Sequence, residues 1–183
     1  MIGECRTVAG VVEVYDDAIL NCAEILDAVN QADLWRSATV SEQGVVNRDI
    51  RDNDVAAIDP FSFVTPEVLY RFARTVWQYI DAYAIRYNVH FSHMEPFNIN
   101  RYMPGEQYHA HADAGPGMPR IISAVAYLND VEEGGETRFV HFDEAITPKA
   151  GRIIVFPSNY AYTHAALPPV SGVKYAAAFW TRQ

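Results

Sequence analysis

The chain has 183 residues, half of them hydrophobic and a fifth charged, a composition that suits one globular domain with a sizeable core and argues against disorder. Twenty-three acidic residues against 14 basic ones leave a net charge of −9, which repels phosphate backbones and makes nucleic acid a poor default partner. No run approaches ~18 uninterrupted apolar residues, the opening MIGECRTVAGVVEVYDD shows no secretory pattern, and two cysteines, Cys5 and Cys22, make no disulfide framework, so a cytoplasmic protein is expected.

In chain order, Asp16 is placed to cap a helix running to about Gln31, with Ile19, Ala23, Leu26 and Val29 on one face. Residues 37–60, containing SEQGVVNRDIRDNDVAAIDP, have little periodicity and read as a long loop. A loop of this length serves either as plain surface or, over residues 41–60, as a lid. Thr65-Pro66-Glu67 is a helix start: a capping hydroxyl, a proline and an acid in the first turn. Leu69, Phe72, Val76, Ile80 and Tyr83 then form one apolar stripe to about Tyr87, as expected of a helix lying on a flat layer. From Phe97 the texture changes to short β-type runs, FNINRYM, IISAVAYL, ETRFVHF, RIIVFP and KYAAAFWT, separated by glycine, proline and asparagine. Two helices followed by many strands predict a mainly β architecture, a sandwich or barrel with the helices on one side.

Two histidines and one carboxylate can hold a divalent iron and leave coordination sites open. On a strand, residues two apart share a face, so His-x-Asp and His-x-Glu pairs are candidate clips. The sequence offers three: His93/Glu95, His111/Asp113 and His141/Asp143. The third ligand must come from a distant strand, and His164 in NYAYTHAAL is the downstream candidate. The separation from Asp113 leaves room for several strands, that from Asp143 for about one hairpin, and Pro96 ends any strand at Glu95. His111, Asp113 and His164 are therefore favoured, with His109 as the nearest decoy. Of only two lysines, Lys174 opens the run KYAAAFWT. If it faces inward it needs an anionic partner, such as a small carboxylate, and otherwise it points to solvent. Val125, Phe139, Phe156 and Trp180 are expected to line a dry pocket, or simply to fill the core.

The ordered set RYMPGEQYHAHAD, YLND, EEGGETRF, GRIIVFP and THAALPPVSGVKYAAAFW resembles the iron(II)- and 2-oxoglutarate-dependent dioxygenases, in particular the prolyl 4-hydroxylase branch. The likeness covers residues ~97–181. It implies a double-stranded β-helix, or jelly roll, with N-terminal helices packed on one sheet. Residues 1–183 would form a single oxygenase domain, with 1–96 as helical support and loop and 97–183 as catalytic core. His111, Asp113 and His164 would be the iron ligands. Lys174 would pair with the distal carboxylate of 2-oxoglutarate, Tyr127 would hydrogen-bond the same carboxylate, and Tyr102 would line that pocket. Trp180 and Arg120 would lie near the substrate. Cofactors would be Fe(II), 2-oxoglutarate and O2, with ascorbate supportive, and the partner a proline-containing peptide or protein. No separate peptide-binding domain is visible, and the segment Ala114–Pro119 is short. The alternatives are an oxygenase acting on a free amino acid, one that demethylates nucleic acid through a patch of Arg48, Arg51, Arg101 and Arg120, or a non-catalytic jelly-roll binding module.

Overall fold

The computed structural model describes residues 2–40 and 45–183. In chain order the elements are β1 (Arg6–Val8), β2 (Val12–Tyr15), α1 (Cys22–Gln31), β3 (Arg36–Ser37), β4 (Asp54–Ile58), α2 (Glu67–Tyr87) and β5 (His93–Met94). They continue with β6 (Phe97–Tyr102), β7 (Tyr108–His111), β8 (Arg120–Tyr127), β9 (Thr137–Phe139), β10 (Glu144–Ile146), β11 (Ile153–Pro157), a 3-10 turn (Tyr160–Tyr162), β12 (His164–Ala166) and β13 (Lys174–Arg182). The strands form two antiparallel sheets. The larger runs β1-β2-β11-β8-β13-β6-β4-β3, with β5 against β13, and the smaller runs β10-β9-β12-β7. The chain is thus mainly β with two helices, as expected from the texture of its second half.

Period-two alternation separates two cores. Along β8, Ile122, Ala124 and Ala126 join the cluster under the helices, whereas Tyr127 and Val125 face the smaller sheet. Along β11, Ile153 and Val155 take the helix side, and Ile154 and Phe156 the inner side. The α2 stripe is buried as expected: Leu69, Phe72, Val76, Ile80 and Tyr83 all lie in the helix-side cluster. Phe72 sets its ring edge-on between Phe97 of β6 and Phe179 of β13, at 5.6 and 5.5 Å between centroids. This locks α2 onto the centre of the larger sheet, whose other face looks across to the smaller sheet that carries His111 and His164.

Three local expectations are corrected. Helix α1 begins at Cys22 instead of following Asp16, and Ala23 is exposed. The amides of Ala18 and Ile19 donate to the Gly151 carbonyl at 2.8 and 3.1 Å, which ties this segment to the sheet before the helix begins. Gly151 has a left-handed φ of +81° and a Cβ there would sit 2.5 Å from the Ile19 carbonyl, so only glycine permits the approach. Asp16 instead takes the Arg152 guanidinium at 2.6 Å. The Thr65 hydroxyl does not cap α2; it donates to the Asp59 carbonyl at 2.6 Å, and Pro66 occupies the cap position. Within the stretch expected to be loop, Asp54–Ile58 forms β4 against β6, an alanine-rich run too small in side-chain volume to signal a strand. Residues 41–44 of the lid candidate lie outside the described residues.

Replacing Phe72 by alanine should cost about 3–5 kcal/mol of folding stability, as for other large buried aromatics. Denaturant unfolding measures it, and a loss under about 1 kcal/mol would show that the helix is not anchored through this ring.

Candidate metal centre

Strands β7 and β12 pair antiparallel with His164 directly opposite His111. Asp113 follows β7 by two residues. One ligand atom from each of the three lies within 4.8 Å of the others. His111 Nε2 is 3.7 Å from Asp113 Oδ1, and His164 Nε2 is 3.8 Å from Asp113 Oδ2. The opposite ring nitrogens are engaged: His111 Nδ1 lies 2.8 Å from the His109 carbonyl and His164 Nδ1 lies 3.1 Å from the Tyr162 carbonyl. A carbonyl can only accept, so each Nδ1 carries the proton and each Nε2 presents a lone pair. Burial, then the neighbouring His164, lowers the His111 pKa to about 4, keeping the ring neutral as a ligand must be. Burial would raise the Asp113 carboxyl, but His164, His111 and the Ser123 hydroxyl together hold it below the usual carboxylate range. Two imidazoles and one carboxylate, close together and with open space beside them, form a donor set that fits a divalent iron.

The space beside the triad is a cavity of about 270 Å³ between the two sheets. Lys174 lines it and is 1% exposed, so of the two orientations the sequence left open the lysine takes the inward one. Its Nζ lies 5.1 Å from the centre of the Tyr102 ring and 5.8 Å from that of Tyr127. Burial lowers its pKa to about 7, and Glu136 only partly offsets this. Tyr127, also buried, donates its hydroxyl to Thr137 Oγ1 at 2.7 Å. The EEGGE turn leads into β9 and Thr137. A Cβ at Gly134 would sit 2.5 Å from the Pro168 carbonyl, so this turn too requires glycine.

The competing clips do not converge. His93 is exposed and contacts Ser92 Oγ, while Glu95 takes Arg120 at 2.7 Å and Arg182 at 3.3 Å. His141 and Asp143 are exposed, and Asp143 pairs with Arg138. His109 is exposed and contributes its carbonyl instead of its ring. Trp180 and Arg120 both line the cavity, the Arg120 guanidinium lying 4.0 Å over the Trp180 ring. The suggested basic patch is largely neutralised, because Arg48 pairs with Asp52, Arg101 with Asp54 and Arg120 with Glu95. Val125 and Trp180 line the cavity as expected. Phe139 and Phe156 instead lie behind it, bracing the His164 ring at 5.9 and 4.9 Å.

Sequence reasoning missed the groups that support the ligands. Ser123 of β8 donates to Asp113 Oδ2 at 2.6 Å, and Ser158 lies 2.7 Å behind Ser123. Tyr108 stacks on the His111 ring with 3.6 Å between centroids. The inward parity of Ser123 with Val125 and Tyr127 was a usable signal; Ser158 carried none.

Residues 97–182 match the model of the 2OG-Fe(II) oxygenase superfamily. Prolyl 4-hydroxylase 13 of Arabidopsis thaliana is 30% identical over 117 residues, covering 48% of this chain and 43% of that protein. A protein of Acanthamoeba polyphaga mimivirus, named provisionally as a prolyl 4-hydroxylase, is 30% identical over 118 residues, 54% of this chain and 49% of its own. The chain therefore spans just under half the length of these relatives. In structure, the viral collagen prolyl hydroxylase of Paramecium bursaria Chlorella virus-1, solved as a 2OG complex, matches with a TM-score of 0.73 and 23% identity over 94% of this chain and 96% of that one. A Trichoplax adhaerens prolyl hydroxylase, solved with a hypoxia inducible factor peptide fragment, matches at 0.76 and 18% identity over 93% and 83%. At these identities the structural likeness establishes the fold.

Lys174 is depressed well below its unfolded value of 10.5, so between about pH 7 and 10 the unfolded chain binds more protons and stability rises with pH. Relative to Lys174→Met, the ligand-free protein should therefore gain up to about 1.4 kcal/mol per pH unit between pH 7 and 9 in denaturant unfolding. A carboxylate bound beside Nζ should cancel the gain; a flat difference without ligand would show the lysine is not buried as a neutral amine.

Proposed function

We propose that this chain, a relative of the prolyl 4-hydroxylase-like 2OG-Fe(II) oxygenases, is an iron(II)- and 2-oxoglutarate-dependent dioxygenase that hydroxylates prolyl groups of a peptide or protein. The observation that carries this reading is one cavity lined at once by the His111–Asp113–His164 triad and by the buried amino group of Lys174, which a bound carboxylate would hold protonated. A binding module has no need of a buried lysine without a carboxylate partner beside three converging ligand groups. The two facing sheets are read as the halves of a double-stranded β-helix, and residues 1–183 as one domain, with 1–96 supporting a catalytic core of 97–183. Two free cysteines suit the cytoplasm.

When bound, ferrous iron with 2-oxoglutarate and O2 supplies the oxidising chemistry, with succinate and carbon dioxide as coproducts and ascorbate as a supporting reductant. The chain contributes geometry. His111 and His164 present Nε2, Asp113 presents a carboxylate oriented by Ser123, and the three leave adjacent positions open. Lys174 anchors the distal carboxylate of 2-oxoglutarate with Tyr127 beside it, and Tyr102 closes that end of the cavity. Arg120 and Trp180, stacked on each other, form a wall against which substrate lies. The aromatic layer behind His164 excludes water from the ligand set.

Succinate formation with iron(II), ascorbate, 2-oxoglutarate and proline-containing peptides tests the reading. His111→Ala and Asp113→Ala should abolish turnover, whereas His93→Ala and His141→Ala should leave it nearly intact. Failure of 2-oxoglutarate to give a charge-transfer absorbance with iron(II) under anaerobic conditions would sink the reading entirely. Ser123→Ala should weaken metal binding about 10–100-fold, as loss of outer-shell partners does, and Lys174→Ala should chiefly raise KM for 2-oxoglutarate.

A further inference from the structure

The cavity holds one cation that the proposed reaction does not use. Its charged lining residues are Arg51, Asp113, Arg120 and Lys174. Arg120 is offset by Glu95. On the reading given above, the ferrous ion and the Lys174 ammonium are balanced by Asp113 and the dianionic cosubstrate. Arg51 is left over. Among the described residues its partners are all neutral: Asn53 Oδ1 at 3.0 Å, the Thr39 carbonyl at 2.9 Å and Asn100 Oδ1 at 2.9 Å. Arg48, Arg101, Arg120 and Arg152, by contrast, each sit on a carboxylate. A guanidinium that only braced the fold would be expected on an acid too, because a partly buried charge is costly until it is paired.

The surroundings hold Arg51 ready for a ligand. Asn53 and Asn100 are 1% and 6% exposed. The Asn53 amide donates to the Asp54 carbonyl and to Asn100 Oδ1, and the Asn100 amide donates to the Ala176 carbonyl of β13. The guanidinium is thus fixed by the segments after β3 and before β4 and by β6, which the Asn100 amide ties to β13, and three of its five N–H donors are used. Its face lies 4.7 Å from the centre of the Tyr108 ring, which in turn stacks on His111. An anion bound there would be one aromatic ring away from the metal ligands. The ordering cost of the side chain is already met before binding.

We propose that Arg51 is a specificity residue that recognises a carboxylate carried by the substrate close to the carbon that is hydroxylated. This deepens the function proposed above and rests on it. The carboxylate has two sources, an acidic side chain next to the target proline in a peptide, or the free carboxylate of a terminal or free imino acid.

The test compares peptides that differ only in Glu against Gln beside the proline, and separately L-proline against L-prolinamide, by direct binding to the iron(II)–2-oxoglutarate form and by kcat/KM. Removal of one charge-assisted hydrogen bond should cost on the order of tenfold or more in affinity. A Glu preference assigns the acidic-peptide source, and a carboxylate-over-amide preference assigns the free one. Arg51→Gln should erase whichever preference is found, and Arg51→Lys should keep part of it, while both variants retain the anaerobic iron(II)–2-oxoglutarate absorbance. Equal binding of both members of each pair by the wild type overturns the proposal, as does a preference that survives Arg51→Gln unchanged. Loss of the absorbance in the wild type would instead strike at the oxygenase reading itself.

Discussion

Antiparallel pairing of β7 with β12 is the constraint from which the rest of the centre follows. It places His164 across from His111, although 52 residues separate them in the chain, and it aims both Nε2 atoms at one point. The third ligand group is secured from the other sheet, because Ser123 of β8 holds the Asp113 carboxylate. The cluster of candidate ligands is therefore a junction between two sheets. A change in the register of either would carry a ligand away from its partners, since a one-residue slip turns every side chain to the opposite face.

Electrostatics at the junction run against the character of the whole molecule. The chain carries a net charge of −9, yet the cavity is lined by Lys174, Arg51 and Arg120 beside one carboxylate. On the surface, Arg48, Arg71 and Arg138 are matched with acids, so their fields cancel locally. Of the cations facing the cavity, Arg120 is offset by Glu95, whereas Arg51 and Lys174 have no carboxylate within ion-pair distance among the described residues. Small anions are thus drawn to one place on an otherwise repelling surface.

The helical layer serves this arrangement without touching it. Phe72, Phe97 and Phe179 interlock beneath the larger sheet, and Phe97 and Phe179 stack with 4.5 Å between centroids. Interiors packed this closely resist deformation. Rigid support on one face lets the opposite face carry buried charges and hydroxyls whose positions would otherwise be hard to hold.

Local periodicity and residue chemistry made much of this legible in the sequence. The α2 stripe, the strand runs after Phe97 and the His111/Asp113 clip with His164 follow from spacings of two or 3.6 residues, whereas the cost of burying a charge left Lys174 open between cavity and solvent, and only the family resemblance pointed it inward. What stayed hidden depends on partners distant in sequence. Strand β4 exists because β6 offers it a backbone edge, α1 starts late because Gly151 captures the residues before it, and Arg120 is held by Glu95. Ser158 stands behind the Asp113 carboxylate, and Arg51 faces the cavity through Asn100, only because of sheet register. A sequence states which side chains share a face of one element; which faces meet, and hence which hydrogen bonds close between them, is settled only when the sheets pack.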